Sequence, residues 1–266
     1  MDVTYLLVDD LSTPNILVKE KDFLLVYKPP AMHSAPLPAS KSTFPDLAMG
    51  KIAEETIFDW CAAQYPEIKK IQGRGKGEGG LLHRLDYETQ GLMLIARTRD
   101  GMENLLTQQD KCAIVKEYCA LTMEQKTKAP GFPPVDVSCL SGCIRSAFRP
   151  YGVGRKLVRP ILKQTTTLAK AKEKEYITEI LEKNSLSQDV FSWQIKITKG
   201  FRHQIRCHLA WIGMPIINDK LYGGNPFGKG ILALRATAVL FMDPGTAKTK
   251  CYSLSPQLNK MNLSLI

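Results

Sequence analysis

The sequence predicts an α+β fold in a single domain, and three observations lead to that prediction. Several short runs alternate apolar and polar residues, which is the period of a half-buried strand. Fewer segments repeat apolar residues every three to four positions, which is the period of an amphipathic helix. No change of composition marks a linker along the chain, so we expect one domain over residues 1–266.

Five segments are predicted to be strands because they are short and either continuously apolar or alternating. They are residues 16–18, 23–27, 92–96, 116–121 and 191–197. The last is the clearest, because Phe191, Trp193, Ile195 and Ile197 alternate with polar neighbours. The continuous apolar run at 92–96 indicates a central strand that is buried on both faces.

Three segments are predicted to be helices. Residues 54–64 place Ile57, Trp60 and Cys61 on one side. Residues 100–109 begin with Asp100 and Glu103, which have the spacing of a capping box. Residues 202–212 carry Ile205, Leu209 and Ile212 at helical spacing, and Gly213 is a natural end.

Two long loops are predicted from proline content. One leads up to residue 45, and the other is a proline-rich insertion over residues 129–160, mostly irregular, whose basic residues are candidate contacts for a polyanion. Those residues are Arg145, Arg149, Arg155, Lys156 and Arg159.

The charge balance favours a polyanionic partner. Lys and Arg outnumber Asp and Glu by 36 to 26, which gives a net charge of +10 and a pI near 9.2. The N-terminus lacks the features of a secretory signal, and no apolar run approaches the ~20 residues of a spanning helix. The 7 cysteines include no C-x-x-C pair. We therefore expect a cytoplasmic protein with reduced thiols and no membrane contact.

The first chemically informative segment is Leu82-His83-Arg84-Leu85-Asp86, which stands shortly before the predicted strand 92–96. An aspartate beside the core must be neutralised or used, because an unpaired buried charge is costly. The structural alternative is a cap or a turn. A helix cap does not explain the position of Asp86, because a strand follows it.

The second segment is residues 200–210, in which Arg202, His203, Arg206 and His208 crowd into seven positions. Arg202 and Arg206 have the i, i+4 spacing of one helix face. The structural alternative is a solvated cationic face. A further alternative is a metal site, but the chain contains no H-x-x-x-H pattern that would support one.

Two other motifs are weaker. The glycine-rich stretch 69–80 contains a G-x-G-x-x-G at Gly75, Gly77 and Gly80, but it lacks the preceding strand and following helix of a dinucleotide site. It is either a solvated loop or a phosphate contact. No G-x-S-x-G elbow indicates a serine hydrolase.

Taken together, these segments resemble the RluA family of pseudouridine synthases. Residues 83–92 are similar to the family's H-R-L-D-x-x-T-S-G-L, and residues 200–208 to G-R-x-H-Q-I-R-x-H. Four further pieces follow the family's order, at residues 23–31, 115–121, 213–223 and 234–244. The first residues leave no room for the S4-type domain of many relatives, so we expect a form without it.

The chain departs from the family pattern at several positions. Gln90 replaces a serine, Phe201-Arg202 replaces Arg-Thr, Asn218 replaces a glycine, and Arg235 replaces a histidine. These departures leave the family's aspartate, Asp86, in place.

The resemblance implies a mixed, largely antiparallel sheet with flanking helices and long loops. It implies that Asp86 acts on the sugar as nucleophile or base, that Arg206 pairs with Asp86, and that Tyr118 stacks on the uracil. Leu234 would pack against the same ring, and Arg84 would fill the gap left by the flipped base. Further substrate contacts would come from His83, Lys116, Arg202 and His203. Because nothing leaves in an isomerisation, the resemblance implies no cofactor and no metal.

The implied partner is structured RNA, ribosomal or transfer, bound by a monomer. Two other classes stay open at this point. A binding module of the same fold would be expected to lack the set of Asp86, Tyr118 and Arg206, which this chain has. An RNA N-glycosidase would share base flipping and a carboxylate, but it would release free uracil.

Overall fold

The computed structural model describes residues 2–36, 55–75, 77–125, 129–135, 142–161, 174–261 and 263–266. In these ranges it contains eleven strands, β1 to β11, and four α-helices, α1 to α4. The strands are Val3–Leu6, Asn15–Lys19, Phe23–Lys28, Gln90–Ala96, Val115–Met123, Cys143–Tyr151, Leu157–Ile161, Tyr176–Ser185, Val190–Ile197, Leu234–Met242 and Thr249–Leu254. The helices are Ile57–Gln64, Arg99–Asp110, Gln204–Trp211 and Pro256–Asn259.

The strands form one sheet in the order β2-β3-β4-β10-β5-β9-β8-β6-β7, with β11 beside β10 and β1 beside β11. The pairs β4–β10 and β1–β11 are parallel, and the other pairs along the sheet are antiparallel. The predicted α+β class with a mixed, largely antiparallel sheet is therefore confirmed. The single-domain assignment stays a prediction.

The sheet is covered on both faces near its centre. All six residues of β3 are buried, and residues 23–27 alternate between two hydrophobic clusters, as side chains along a strand must. Helix α1 packs into the cluster that contains Leu24, whereas α2 packs into the cluster that contains Phe23. No helix in the described ranges is long and apolar enough to cross a membrane.

Strands β4 and β10 approach each other closely at Gly91. Its φ is 121°, and a Cβ at this position would lie 2.2 Å from the carbonyl oxygen of Ala236. A side chain would therefore push the two strands apart. This contact places the start of β10, with Leu234, beside the loop that carries Asp86.

The five predicted strands are confirmed as parts of β2, β3, β4, β5 and β9. Helix α1 begins at Ile57, three residues later than predicted, with Thr56 as its N-cap, and residue 54 lies outside the described residues. Helix α2 forms where predicted, but its cap differs. Helix α2 starts after Thr98, whose Oγ1 accepts a hydrogen bond from Gly101 N at 3.1 Å. Asp100 is therefore inside the first turn, and the capping-box assignment is wrong. The predicted loop up to residue 45 lies outside the described residues from residue 37 onward.

The prediction of a mostly irregular insertion over residues 129–160 is wrong, although residues 136–141 lie outside the described part. Strands β6 and β7 form a hairpin at the end of the sheet. Pro150 and Pro160 hid this pattern, because proline lacks an N–H for the ladder. Both are tolerated here, since β7 is an edge strand and β6 pairs only with β7 at Pro150.

Arg159, in β7, is a buried structural residue and not an exposed RNA contact. It is 2% exposed and donates two hydrogen bonds to Pro130 O, at 3.1 and 3.0 Å. Its guanidinium lies 4.1 Å from the ring centre of Phe132 and 4.4 Å from that of Tyr151. These contacts fasten residues 129–135 to the hairpin.

Candidate active site

Asp86 lies in a loop that is held by two residues from an earlier part of the chain, Lys28 at the end of strand β3 and Ser34 beyond it. Ser34 Oγ donates to Leu85 O at 2.7 Å and accepts from Leu85 N at 3.0 Å. Lys28 is fully buried, and its Nζ donates to the carbonyl oxygens of Pro29, Met32 and Tyr87 at 2.8–3.2 Å. Residues on both sides of Asp86 are thereby held, which fixes the direction of its side chain.

Helix α3 carries the arginine that faces Asp86. All eight of its residues are buried, so the alternative of a solvated cationic face is wrong. The helix begins at Gln204 and not at 202, because His203 adopts a left-handed conformation with φ 55°. Arg202 and Arg206 therefore do not share a helix face. Arg202 is exposed and donates to Arg155 O and Leu157 O at 2.7 and 3.1 Å.

The main partner of Arg206 is Asp219. Nε and Nη2 of Arg206 donate to the two carboxylate oxygens of Asp219, both at 2.8 Å. The two side chains are 1% and 0% exposed. Oδ1 of Asp219 also accepts from the backbone N–H groups of Leu221 and Tyr222, at 3.0 and 3.2 Å. This is a bidentate, fully hydrogen-bonded buried pair. Burial lowers the pKa of Arg206, but the hydrogen bonds and the negative charge of Asp219 outweigh that effect and raise the pKa.

Asp86 receives only the remaining nitrogen of Arg206. Nη1 lies 3.4 Å from Asp86 Oδ2 and 3.1 Å from Glu88 Oε2. The predicted pairing of Arg206 with Asp86 therefore exists, but the bidentate fork holds Asp219 instead. The Asp86 side chain is 25% exposed, so its carboxylate remains partly accessible.

His203 lies on the other side of the Asp86 carboxylate. Its Nε2 is 3.8 Å from Asp86 Oδ1, and its Nδ1 is 3.1 Å from the hydroxyl of Tyr222. That hydroxyl accepts a hydrogen bond from Val158 N at 3.1 Å. Burial lowers the pKa of His203, against the opposing charge of Asp86. A neutral ring that accepts from Tyr222 at Nδ1 directs its Nε2–H toward Asp86.

These groups surround a cavity of about 680 Å³. All nine residues predicted from the sequence line it: Asp86, Tyr118, Arg206, Leu234, Arg84, His83, Lys116, Arg202 and His203. The tertiary structure thus brings together segments that are more than 100 residues apart. Cavities that hold one drug-sized ligand measure roughly 300 to 1,000 Å³.

The protonation states in the cavity follow from burial. Tyr118 is 6% exposed, and burial together with the charge of Asp86 raises the pKa of its phenol. Burial lowers the pKa of Lys116 to about 8. Burial and the nearby Lys116 lower the pKa of His83 to about 3, and its Nε2 accepts from Leu94 N at 3.3 Å. Tyr118 and His83 are therefore both neutral near pH 7.

Arg84 stands at the open side of the cavity. Its side chain is 62% exposed, and it makes one ion pair at 3.3 Å with Glu78. Exposed pairs of this kind are worth little, on the order of 0–1 kcal/mol. Little free energy therefore opposes movement of the Arg84 side chain away from Glu78.

The metal alternative receives no support. His208 is fully buried, and its ring nitrogens bond to Ser146 Oγ at 2.9 Å and Thr178 Oγ1 at 2.8 Å. His83 is bonded to strand β4. Across the residues that the structure describes, no group of three or more His, Cys, Asp or Glu side chains is placed to hold a metal ion.

Two of the departures from the family pattern contact each other. Gln90 and Arg235 are paired neighbours on β4 and β10, and Arg235 Nε and Nη2 approach Gln90 Oε1 at 3.4 and 3.3 Å. The same oxygen accepts from Tyr27 at 2.7 Å, and Arg235 is 0% exposed. Arg235 is thus internal. Asn218 has φ 66°, which asparagine tolerates better than most residues, so it can stand where the family has glycine.

Sequence reasoning missed four residues of the site. Asp219 and Tyr222 belong to a segment that was recognised by resemblance, but their spacing gave no hint of a contact with Arg206 and His203. Glu88 was one of the unspecified positions in the motif. Lys28 directly follows the predicted strand 23–27, and nothing in its sequence context indicates a role in the site. A basic residue fully buried among carbonyl groups is visible only in three dimensions.

Comparisons with known proteins agree with this geometry. The model of the family described as RNA pseudouridylate synthase matches residues 22–211, which is more than half of the chain and includes Asp86, Tyr118 and Arg206. The ribosomal large subunit pseudouridine synthase D of Buchnera aphidicola subsp. Schizaphis graminum (strain Sg) is 25% identical over 256 residues, which cover 91% of this chain and 69% of that protein. Its namesake from Blochmanniella floridana is 28% identical over 172 residues, which cover 64% of this chain and 45% of that protein.

This chain therefore spans roughly half to two thirds of the curated relatives that it matches. Among solved structures, human RNA pseudouridylate synthase domain containing 1 superposes with a TM-score of 0.57 at 18% identity, over 92% of this chain and 84% of that chain. The two proteins share a fold. Since the family model spans both motif regions and more than half of the chain, the chain belongs to the RNA pseudouridylate synthase family.

Proposed function

We propose that this protein isomerises specific uridines in structured RNA to pseudouridine, and that Asp86 is the group that acts on the ribose. The observation that carries the proposal is the position of the Asp86 carboxylate. It is partly exposed at a cavity, contacts Arg206 through one nitrogen, and shares that cavity with Tyr118 and Leu234.

The reaction requires a positioned carboxylate and a site that holds a free base. The bond between C1′ and N1 of the uridine breaks, the uracil rotates, and a bond forms between C1′ and C5. The hydrogen on C5 is lost and N1 gains one, so the composition is unchanged. Asp86 serves as nucleophile or as base in the first step. During the rotation, the walls of the cavity keep the uracil from diffusing away.

Arg206 positions Asp86, and Asp219 positions Arg206. Because the fork to Asp219 fixes the plane of the guanidinium, Nη1 has one direction in which to point. That direction is toward Asp86 and Glu88. A lysine in place of Arg206 would not position Asp86 in this way, since an ammonium cannot hold the two oxygens of one carboxylate in a plane.

Tyr118 and Leu234 form the apolar walls against which the uracil packs. The phenol of Tyr118 is protonated at neutral pH, so in the resting enzyme it is a stacking surface and a hydrogen-bond donor. Removal of the C5 proton by Tyr118 requires that its own proton first moves to another group. Leu234 is 3% exposed and is held by the β10–β5 pairing.

The cations of the cavity fit an RNA backbone. Arg84 and Arg202 are exposed, and Lys116 reaches the cavity from β5. Extruding a base costs a few kcal/mol, which phosphate contacts of this kind offset. Arg84, beside Asp86, is placed to occupy the space that the base leaves.

The RNA is ribosomal or transfer RNA. The matched relatives are named for the large ribosomal subunit, which makes its RNA the first to test. We also predict that the protein is a monomer, which gel filtration tests, and that it is located in the cytoplasm, which cell fractionation tests.

The test is to map pseudouridine in total RNA from cells with and without the gene, and then to treat the deficient RNA with purified protein. We expect at least one uridine to become pseudouridine in the treated sample and none with Asp86→Asn. Release of free uracil would identify an N-glycosidase instead. RNA binding without any modification would leave only a binding module.

A further inference from the structure

Three aromatic rings meet at one side of the cavity. The rings of Phe148 and Phe201 are stacked, with centroids 4.9 Å apart and 4° between their planes. Tyr176 leans on both, at 4.9 Å from Phe201 and 5.8 Å from Phe148. Tyr176 and Phe201 line the cavity and remain partly exposed. We call Phe148, Tyr176 and Phe201 the aromatic platform.

The platform is held in place from behind. Phe201 N donates to the side-chain oxygen of Gln204 at 3.0 Å, and Gln204 Nε2 donates to Ile177 O and Thr178 Oγ1 at 2.9 and 3.1 Å. Phe148 rests on the fully buried ring of His208, at 4.9 Å. The rings therefore lose little freedom when a ligand stacks on them, which favours binding.

Cations surround the platform. Lys174, Lys199 and Arg202 line the same side of the cavity, and Lys199 Nζ lies 5.0 Å from the ring centre of Tyr176. The part of the lining that residues 174–206 contribute contains no acidic side chain, as far as the structure describes it. Rigid aromatic rings flanked by cations are the features that bind single-stranded nucleic acid, since bases stack on the rings and phosphates pair with the cations.

We propose that the aromatic platform is a second base-binding subsite, which stacks a nucleotide adjacent to the target uridine in single-stranded or looped RNA. This proposal rests on the proposed function in one respect: the nucleotide beside the one in the subsite is taken to be the target uridine. Phe201 stands where the RluA-type pattern has an arginine, so this subsite replaces a charge contact by a stacking contact. It gives the enzyme a preference for RNA whose neighbouring base is unpaired.

The first test uses the protein without substitutions. A decauridylate that carries one 5-bromouridine is bound and irradiated, because a bromouracil stacked on an aromatic side chain forms a covalent cross-link. The cross-linked peptides are then identified by mass spectrometry. We expect peptides that contain Tyr176 or Phe201, both in the natural protein and in Asp86→Asn. Cross-links confined to other surfaces, or no binding of the decauridylate, would overturn the proposal.

The second test compares affinities by fluorescence anisotropy. The double variant Tyr176→Leu, Phe201→Leu should bind the decauridylate about 5- to 150-fold more weakly, which is the effect of losing one base stacked on an aromatic ring. Phe132→Leu is the matched control, because Phe132 packs in the same hydrophobic cluster as Phe148 and Phe201 but does not line the cavity. Its affinity should stay within two- to threefold of the natural protein. Equal affinities for the double variant and the natural protein would contradict the subsite.

Neither test requires catalysis. A protein that cross-links at the platform but forms no pseudouridine would refute the proposed function and leave the subsite standing. A protein that forms pseudouridine without platform cross-links would do the reverse.

Discussion

Replacing Asp219 by asparagine should destabilise the fold far more than the same change at Asp86, although both carboxylates contact the guanidinium of Arg206. Asp219 is fully buried and makes both 2.8 Å bonds of the fork. An asparagine there turns one carboxylate oxygen into an N–H₂ group, which meets an Arg206 N–H as donor against donor. It also leaves a buried guanidinium without its main counter-charge.

The magnitude follows from burial. Breaking one partner out of a buried ion pair costs about 3–5 kcal/mol, and for a protein of this size each kcal/mol lowers the melting temperature by about 2–4 °C. We therefore expect Asp219→Asn to melt about 6–20 °C lower. Asp86 is 25% exposed and makes two longer contacts, at 3.4 Å to Arg206 Nη1 and at 3.8 Å to His203 Nε2. Partly exposed pairs contribute about 0–1 kcal/mol, so Asp86→Asn should melt within a few degrees of the natural protein.

The assay measures thermal unfolding, RNA affinity and pseudouridine formation on the same samples. Asp86→Asn should lose turnover while its RNA affinity stays within a few-fold, because the loss falls on the chemistry. Asp219→Asn should lose stability as well as turnover. If Asp219→Asn had the melting temperature of the natural protein and Asp86→Asn had a far lower one, the assignment of the structural and the catalytic carboxylate would be reversed.

Three further predictions concern the surroundings of the site. Burial lowers the pKa of His208 to about 3 from its usual 6.5, so its contribution to stability is full above pH 6.5 and falls as the pH drops toward 3, by up to about 1.4 kcal/mol per pH unit. Melting curves from pH 7 to 5 should therefore depend less on pH in His208→Gln, and an unchanged dependence would refute this. Gln90→Ser and Arg235→His, each destabilising alone, should couple by about 0.5–3 kcal/mol in a double-mutant cycle, because they share one hydrogen-bonded contact; additive effects would show that they are independent. Tyr222→Phe should lower kcat without raising KM for RNA, since it frees the ring of His203 beside Asp86. It should also cost about 1–3 kcal/mol of stability, because the backbone N–H of Val158 loses its acceptor. An unchanged kcat in steady-state kinetics would argue against this role.

Much of the secondary structure and the membership of the site could be predicted from sequence. Strand β9 was predicted because the alternation from Phe191 to Ile197 has the period of a strand, which needs no knowledge of partners. Strand β4 was predicted because a continuous apolar run must be buried on both faces. The nine predicted site residues were recognised by motif, and all of them line one cavity.

Other features depended on residues that are distant along the chain. Helix α3 starts two residues later than its apolar period suggests, because His203 has a left-handed conformation and contacts the hydroxyl of Tyr222. Arg159 looked like a surface cation, yet rings of residues 132 and 151 enclose it. Residues 143–161 form a hairpin despite their prolines, because the end of the sheet needs hydrogen bonds on one side only.

The sequence by itself determined the fold class, the family and three candidate catalytic residues, Asp86, Tyr118 and Arg206, which line one cavity. The tertiary structure alone decided which carboxylate takes the fork of Arg206. Distance and burial, and not spacing, made that choice: Asp219 is fully enclosed beside the helix and can satisfy both guanidinium bonds, whereas Asp86 must keep one side open to the cavity. In the proposed reaction Asp86 must reach the substrate, which its partial exposure allows, whereas the buried Asp219 is free to take the stronger bonds of the guanidinium.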